Sequence, residues 1–414
     1  MVLRGALGLG VFVLFAWLIS ENRRQVKIRT IVAGVGLQLI IGVLFLKLPV
    51  FTDIFIMLNK VILALEQATK DGTSMVFGYL GGGEAPFEIT DPSAMFILAF
   101  QSLPLVLVMS ALSALFFFWK ILPTVVRGFS WLLQKIAGLG GAEGVGVSAN
   151  IFIGMVEAPL LVRPYLQNMT RSEIFTLMTT GMATIAGTVM VLYASILRGT
   201  IPNIMGHILT ASIISVPAAI TMAKVMVPET EDPTAGEFVP EDDAKSAMDA
   251  VTRGTFQGME LLLNIIGMLI VLVALVSLIN SGLGLLPDVQ SGPLTLQRIL
   301  GCIMAPVVWL MGIPWAEAFT AGSLMGTKTI LNELLAYLDL SNLPKDALSS
   351  RSMLIMTYAM CGFANPGSLG IMIGGMGTMA PDRRDEIISL GFRSIVAGTL
   401  ATCMTGAIVG MIKG

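Results

Sequence analysis

The stretch GVSANIFIGMVEAP, residues 146–159, places a single carboxylate, Glu157, in an apolar run that Gly154 and Pro159 interrupt. A carboxylate inside a bilayer is costly, and it usually faces a partner or an aqueous cavity. Because glycine and proline both disfavour a continuous helix, the stretch predicts a helical hairpin with a functional Glu157 at its tip. An ion pair with a neighbouring arginine such as Arg163 is the alternative.

A second stretch, GTKTILNELLAY at residues 326–337, repeats this arrangement and places Glu333 directly after an amide, Asn332. Downstream of each carboxylate, an apolar segment is interrupted by small or polar residues, at 184–188 and again at 363–368. Paired interrupted helices indicate a secondary transporter, in which exposed backbone groups bind substrate and ion near the middle of the membrane. We expect the two hairpins to enter from opposite sides, as an inverted repeat.

The composition of the chain is that of a membrane protein. Of 414 residues, 55% are hydrophobic and 13% are charged, whereas soluble domains carry about 25% charged residues. A water-soluble enzyme is therefore excluded, and neither an HExxH nor a G-x-S-x-G motif is present for catalysis. The formal net charge of -2 lacks the basic surplus of nucleic-acid-binding proteins. The sequence predicts no enzyme and no nucleic-acid partner.

Eight apolar runs are long enough to cross about 30 Å of hydrocarbon. The predicted spans are 3–20, 29–48, 93–119, 172–197, 202–226, 258–283, 352–378 and 387–412. The basic loop that follows the first run belongs in the cytoplasm under the positive-inside rule, so both termini are expected on the periplasmic side. Further apolar stretches are broken by charge or proline and are predicted to lie along the interface, at 51–66, 121–138 and 293–311. A strongly acidic tract, 228–250, is predicted to be a solvated cytoplasmic linker.

From Asn150 to Glu157, and on through APLLVRPY at 158–165, the sequence closely resembles the concentrative nucleoside transporters. The likeness continues in order along the chain at DGTS (71–74), PWAEA (314–318), NE (332–333) and CGFAN (361–365). The resemblance implies an all-α integral membrane protein with eight transmembrane helices, interfacial helices and two opposed re-entrant hairpins. It also implies a homotrimer in a lipid bilayer. The compact chain, without the long tails of animal members, is expected in a bacterial inner membrane.

The resemblance further implies a sodium-coupled nucleoside symporter that works by elevator-type alternating access, in which a transport part moves against a scaffold. The scaffold segments would be 1–50 (helices 1 and 2), 93–142 (helix 3 and an interfacial helix) and 251–313 (helix 6 and an interfacial helix), with an interfacial helix and external loop at 51–92. The transport repeats would be 143–227 (hairpin 1, helices 4 and 5) and 314–414 (hairpin 2, helices 7 and 8).

Carried onto this sequence, the family pattern gives residues for the substrate and for the ion. The nucleobase would contact the tip of the first hairpin and its neighbour: Gly154, Met155, Val156, Glu157 and Val189. The ribose would contact the second repeat: Glu333, Phe363, Asn365 and Ser368. A coupling Na+ would bind hard oxygen ligands, from the side chains of Asn150 and Thr184 and the backbone carbonyls of Ile153 and Ile185.

Two departures from the family pattern bear on specificity. Met155-Val156 stands where many members carry Gln-Thr, so the base contact is more apolar and purine nucleosides are expected to be favoured. Pro366-Gly367 replaces bulkier or hydroxylated residues between Asn365 and Ser368, which is expected to change the ribose-side geometry. The alternatives are a proton-coupled importer, with Glu157 or Glu333 as the titrating group, and a nucleoside-sensing receptor.

Overall fold

A computed structural model describes residues 2–89, 95–236, 244–288, 292–344 and 346–413. These residues form eighteen α-helices and no strand, so the all-α class is confirmed. In chain order the helices are α1 (Val2–Leu18), α2 (Ile28–Lys47), α3 (Pro49–Phe77), α4 (Leu98–Gln101), α5 (Leu105–Phe118), α6 (Ile121–Ala137), α7 (Gly141–Ala149), α8 (Glu157–Leu160), α9 (Arg171–Ala183), α10 (Gly187–Leu197), α11 (Ile204–Met226), α12 (Ala247–Leu283), α13 (Leu296–Leu310), α14 (Trp315–Ile330), α15 (Glu333–Ser341), α16 (Ser350–Met360), α17 (Pro366–Met379) and α18 (Arg384–Ile412).

Six helical segments of the described chain are long and apolar enough to cross a membrane, and they correspond to six of the eight predicted spans. They are Ile28–Lys47, Leu98–Phe118, Arg171–Leu197, Ile204–Met226, Ala247–Leu283 and Pro381–Ile412. The predicted span 3–20 is α1, which has 17 residues. At 1.5 Å per residue such a helix is about 26 Å long, slightly short of the hydrocarbon thickness.

The predicted span 352–378 is formed by two helices, α16 and α17, which residues 361–365 separate. Neither half is long enough to cross alone. The helices α13 and α14 form a further candidate, although they bend by 117° where they meet. Length and composition of the described helices therefore support six spans, or seven with the bent pair, and eight spans stay a prediction.

At each of the two predicted hairpins, one helix ends and the next begins after a short break, and the hairpins themselves stay a prediction. In the first, α7 ends at Ala149 and α8 begins at Glu157. In the second, α14 ends at Ile330 and α15 begins at Glu333. The helices that follow the hairpins are interrupted as expected, between α9 and α10 and between α16 and α17.

Several helix ends meet at one end of the molecule. Glu21, in the basic first loop, accepts hydrogen bonds from Arg171 at 2.8 Å and Arg393 at 2.6 Å. The hydrogen bond from Arg171 lowers the pKa of Glu21. The Glu21 backbone N–H also donates to the Met226 carbonyl at 2.9 Å. The first loop, the start of α9, the first three turns of α18 and the end of α11 therefore share the end that we predict to be cytoplasmic.

The predicted linker leaves from this same end, since it follows α11. Its residues 237–243 lie outside the described residues, as do residues 90–92 of the predicted external loop and residues 93–94 of the predicted span 93–119. The described start of the linker is attached to α9, because the Thr234 hydroxyl donates to Glu173 Oε2 at 2.6 Å.

The core is concentrated in the two segments that are predicted to be the transport repeats. The helices α9, α11 and α18 are buried along almost their whole length. By contrast, α12 exposes large apolar side chains such as Leu263, Ile270 and Leu278. Exposed apolar surface on this scale needs lipid or another protein chain to cover it. The site described below lies between the buried repeats and α12.

Candidate functional site

A cavity of about 190 Å³ lies between the first hairpin, the interrupted helices, the second hairpin and α12. All nine residues that the resemblance assigns to the substrate line this cavity: Gly154, Met155, Val156, Glu157, Val189, Glu333, Phe363, Asn365 and Ser368. The structure therefore brings residues of both predicted repeats to one cavity. The individual roles of these residues stay predictions.

Glu333 is buried at the first position of α15, where two side chains hold its carboxylate. The Tyr193 hydroxyl donates to Oε1 at 2.6 Å, and Asn365 Nδ2 donates to Oε2 at 3.1 Å. The N-terminal end of a helix also favours a negative charge. Because a carboxylate oxygen has two lone pairs, each oxygen can still accept a hydrogen bond from a ligand hydroxyl.

Asparagine N-caps fix where α15 and α17 begin, at this end of the cavity. Asn332 Oδ1 accepts from the Leu335 backbone N–H at 2.8 Å, and Asn365 Oδ1 accepts from the Ser368 N–H at 2.8 Å. Asparagine is a preferred N-cap residue, and Pro366 is compatible with the first helical turn because it has no N–H to satisfy. The Asn365 side chain thus has two roles, because its Oδ1 caps α17 and its Nδ2 donates to the Glu333 carboxylate.

The tip of the first hairpin gives the cavity an apolar wall. Met155 is 8% exposed and contacts α9 at Gly181, where a Cβ would lie 2.9 Å from Met155 Cβ. Val156 contacts α17 at Gly375, where a Cβ would lie 2.7 Å from Val156 Cγ1. Both distances are too short for any side chain larger than hydrogen. Glycine at these two positions therefore allows the tip to lie directly on its neighbours.

Glu157 is exposed and folds back over Gly154, where a Cβ would collide with Glu157 Oε2. In the described part of the chain Glu157 forms no ion pair, which leaves the alternative of an Arg163 partner without support. Glu157 also lines a second cavity of about 600 Å³, which extends to Ala244 and Arg253 near the end of the linker. Glu157 therefore stands where the two cavities adjoin.

The residues expected to bind the cation bring the first hairpin against the interruption in the next helix. The Thr184 hydroxyl lies 3.0 Å from the Asn150 carbonyl and 2.9 Å from the Thr180 carbonyl, and it can donate to either. The Gly187 backbone N–H donates to the Phe152 carbonyl at 3.1 Å. Both Asn150 and Thr184 are buried.

Oxygen atoms at this contact have spare acceptor capacity. Asn150 Nδ2 donates to the Gly146 carbonyl at 3.2 Å, but the buried Asn150 Oδ1 has no hydrogen-bond partner among the described residues. The carbonyls of Ile153 and Ile185 accept no backbone hydrogen bond from the same residues. An unsatisfied buried acceptor is costly, and a hard cation binds such neutral oxygens. The residues present therefore fit an alkali cation.

The sequence reasoning missed the wall that α12 supplies and three residues of α10, namely Thr188, Leu192 and Tyr193. The additional lining residues include Leu261, Asn264, Ile265, Met268 and Leu269 on α12, and Thr188 and Tyr193 on α10. Two of them carry a signal in the sequence, because Asn264 and Tyr193 are polar groups within long apolar runs. Such groups within membrane segments usually face a cavity or another helix.

Comparison with known proteins gives three family models that together match most of the chain. "Na+ dependent nucleoside transporter N-terminus" matches residues 7–80, "Nucleoside recognition" matches 99–200, and "Na+ dependent nucleoside transporter C-terminus" matches 207–410. The middle match contains the first hairpin. The last contains the second hairpin.

Similar proteins match over almost their full length. An uncharacterized transporter of Haemophilus influenzae is 37% identical, with 100% of this chain and 98% of that protein aligned. The nucleoside permease NupC of Helicobacter pylori is 33% identical, with 98% and 97% aligned. Among solved structures, CNTnw in an inward-facing substrate-bound state is 34% identical with a TM-score of 0.91, covering 100% of this chain and 99% of that one.

Proposed function

Because the chain belongs to the family of Na+-dependent nucleoside transporters, which are not enzymes, we propose that it is a cation-coupled nucleoside symporter. Sodium is the coupling ion, and purine nucleosides are the favoured substrates. The observation that carries this proposal is the Glu333 carboxylate, held by Tyr193 and Asn365 at one end of a cavity whose other walls are largely apolar.

The cavity suits the chemistry of a nucleoside. Ribose offers hydroxyl donors, which Glu333 and Asn365 can accept or orient at the second hairpin. The base offers an aromatic face, which Met155 and Val156 contact with apolar atoms. A neutral nucleoside brings no charge that the protein must neutralise. The orientation of the substrate in this proposal therefore has the ribose on the second repeat and the base on the first.

The cation is assigned to the contact between the first hairpin and the interrupted helix that follows it. Support comes from the unpartnered Asn150 Oδ1 and the adjacent Thr184 hydroxyl. Asn150 and the base-contacting residues belong to the same hairpin, so a bound cation orders the part that binds the nucleoside. Coupling between two ligands is reciprocal, and each should raise the affinity of the other.

Transport is proposed to proceed by elevator-type alternating access. The transport repeats, 143–227 and 314–414, move against scaffold segments 1–50, 93–142 and 251–313. This division is supported by the substrate cavity, which lies between residues of both repeats and residues of α12 in the scaffold. The protein is proposed to form a homotrimer in a bacterial inner membrane, with re-entrant hairpins and periplasmic termini.

Calorimetric titration of the purified protein tests this function. Nucleosides should bind in sodium and bind much more weakly in choline, and Asn150→Ala and Thr184→Ala should reduce the sodium dependence. Asn59→Ala is the matched control, since this amide bonds Asn203 and does not line the substrate cavity. Sodium-independent affinity with pH-dependent uptake would favour proton coupling, and absence of nucleoside binding in either salt would contradict the function.

A further inference from the structure

Lys328 is a buried cation that has no direct partner in the part of the chain that the structure describes. It lies in the last turn of α14, the first arm of the second hairpin, and is 0% exposed. Its Nζ makes no hydrogen bond, and no carboxylate of the described residues lies within 4.0 Å of it. Burial of an unpaired ammonium is strongly unfavourable. A role in packing alone would be served better by an apolar side chain.

The surroundings of Lys328 belong to the substrate site of the second repeat. Lys328 precedes Glu333 by five residues, and its helix, α14, packs against both α15 and α16. Cys361 is the first residue of the interruption between α16 and α17. Lys328 therefore lies where the second hairpin meets the second interrupted helix.

The first repeat has its cation residues at the corresponding place. Asn150 ends the first arm of its hairpin, and Thr184 is the first residue of the interruption between α9 and α10. The two interruptions touch, because the Phe363 backbone N–H donates to the Thr184 carbonyl at 3.3 Å. Both hairpins also present one glutamate to the cavity, Glu157 or Glu333.

We infer that the Lys328 ammonium is a tethered cation that takes, in the second repeat, the place of the coupling cation of the first. Each hairpin glutamate is then matched by one positive charge. The positive charge at the first hairpin comes from solution and drives coupling, whereas the positive charge at the second hairpin is part of the chain. Lys328 is a positioning residue, because its charge holds the second hairpin and Glu333 in the form that binds ribose. This inference rests on the proposed function.

The test compares two substitutions of Lys328 by calorimetry on the purified protein. Lys328→Ala removes the charge and leaves space, whereas Lys328→Met removes the charge and keeps the volume. Both should weaken nucleoside binding roughly tenfold or more. In Lys328→Ala alone, the sodium dependence should become steeper, as a second cation enters, and added methylammonium should restore affinity. Lys224→Ala is the control: this lysine is ion-paired with Glu143 at 2.8 Å, so methylammonium should not change nucleoside affinity there.

Several results would overturn the inference. One is a nucleoside affinity equal to that of the wild type in both Lys328 variants. Another is a Lys328→Ala variant whose weakened nucleoside affinity is not restored by methylammonium and does not depend more steeply on sodium than the affinity of the wild type. If Lys328→Ala does not fold, the test rests on Lys328→Met, compared at an unchanged ligand-free melting temperature. Unchanged nucleoside affinity in that variant contradicts a role for the charge, and weakened affinity supports it. Failure of the wild-type protein to bind nucleoside in sodium would instead overturn the proposed function, and the inference with it.

Discussion

The hydroxyl of Tyr193 donates a hydrogen bond of 2.6 Å to Glu333 Oε1, although the two residues belong to different repeats. Tyr193 is 3% exposed, and its ring lies 5.2 Å from that of Tyr337 on the same helix as Glu333. A hydroxyl donating to a carboxylate forms one of the stronger hydrogen bonds in proteins. The orientation of Glu333 is therefore set by the first repeat before any substrate binds.

Tyr193→Phe should lower nucleoside affinity by about tenfold, because a hydrogen bond to a charged group contributes about 1.5–3 kcal/mol. The ring stays, so packing against Tyr337 is retained. Calorimetric titration in sodium measures the change. Tyr79→Phe, at an exposed tyrosine outside the substrate cavity, is the control. Equal affinities in wild type and Tyr193→Phe would show that the bond does not prepare the site.

Glu157→Gln and Glu333→Gln should each abolish most uptake while leaving a folded trimer. Each carboxylate is proposed to bind substrate hydrogens, and neither forms an ion pair among the described residues. Loss of one charge-assisted hydrogen bond corresponds to a roughly tenfold or larger effect. Uptake assays together with size-exclusion chromatography check both parts. Unchanged uptake by either variant would remove that residue from the site.

Gly154→Ala should weaken nucleoside binding roughly tenfold, because its Cβ would collide with Glu157 Oε2 and displace the carboxylate. The control is Gly370→Ala on α17, where no atom lies within 4 Å of an added Cβ. Comparison with Glu157→Ala and with the double variant shows whether the effect passes through Glu157, since coupled sites are not additive. The explanation would be contradicted if Gly154→Ala weakened nucleoside binding by the same factor in the Glu157→Ala background as in the wild type.

The sequence predicts much of the fold because apolar runs and their interruptions depend on local chemistry. The turn at Asn332 and the interruption before Pro366 coincide with helix caps, which short motifs indicate. The lengths of the helices are harder to predict from the sequence. The helix α12 begins at Ala247, eleven residues before the predicted span at 258–283, because Ser246 caps a helical stretch with Asp249, Arg253 and Gln257 that hydropathy places outside the membrane.

The pairing of distant side chains at the site was not accessible from the sequence. The bond between Tyr193 and Glu333, and the wall that α12 provides through Asn264, depend on how helices distant in the chain pack together. No spacing rule connects those positions. The resemblance to a family supplied the nine substrate positions, whereas only the structure places Tyr193 beside them.

Met155→Gln with Val156→Thr should shift substrate preference from purine toward pyrimidine nucleosides. The two new polar side chains can donate hydrogen bonds to a pyrimidine base, and the apolar contact with a larger purine is reduced. A hydrogen bond in a hydrated pocket contributes about 0.5–1.5 kcal/mol, so the shift should be several-fold to about tenfold. Competition uptake with adenosine, inosine, uridine and cytidine measures it. Pyrimidine preference in the unmodified protein would contradict the specificity while leaving the transporter function intact.

Accumulation of a labelled purine nucleoside in proteoliposomes tests the central claim most directly. With sodium outside and choline inside, the purified protein should concentrate the nucleoside above its external level, and collapse of the sodium gradient should release it. Accumulation should be absent when choline replaces sodium on both sides, even with an imposed pH gradient. Accumulation that follows the pH gradient without sodium, or simple equilibration under a sodium gradient, would contradict a sodium-coupled symporter.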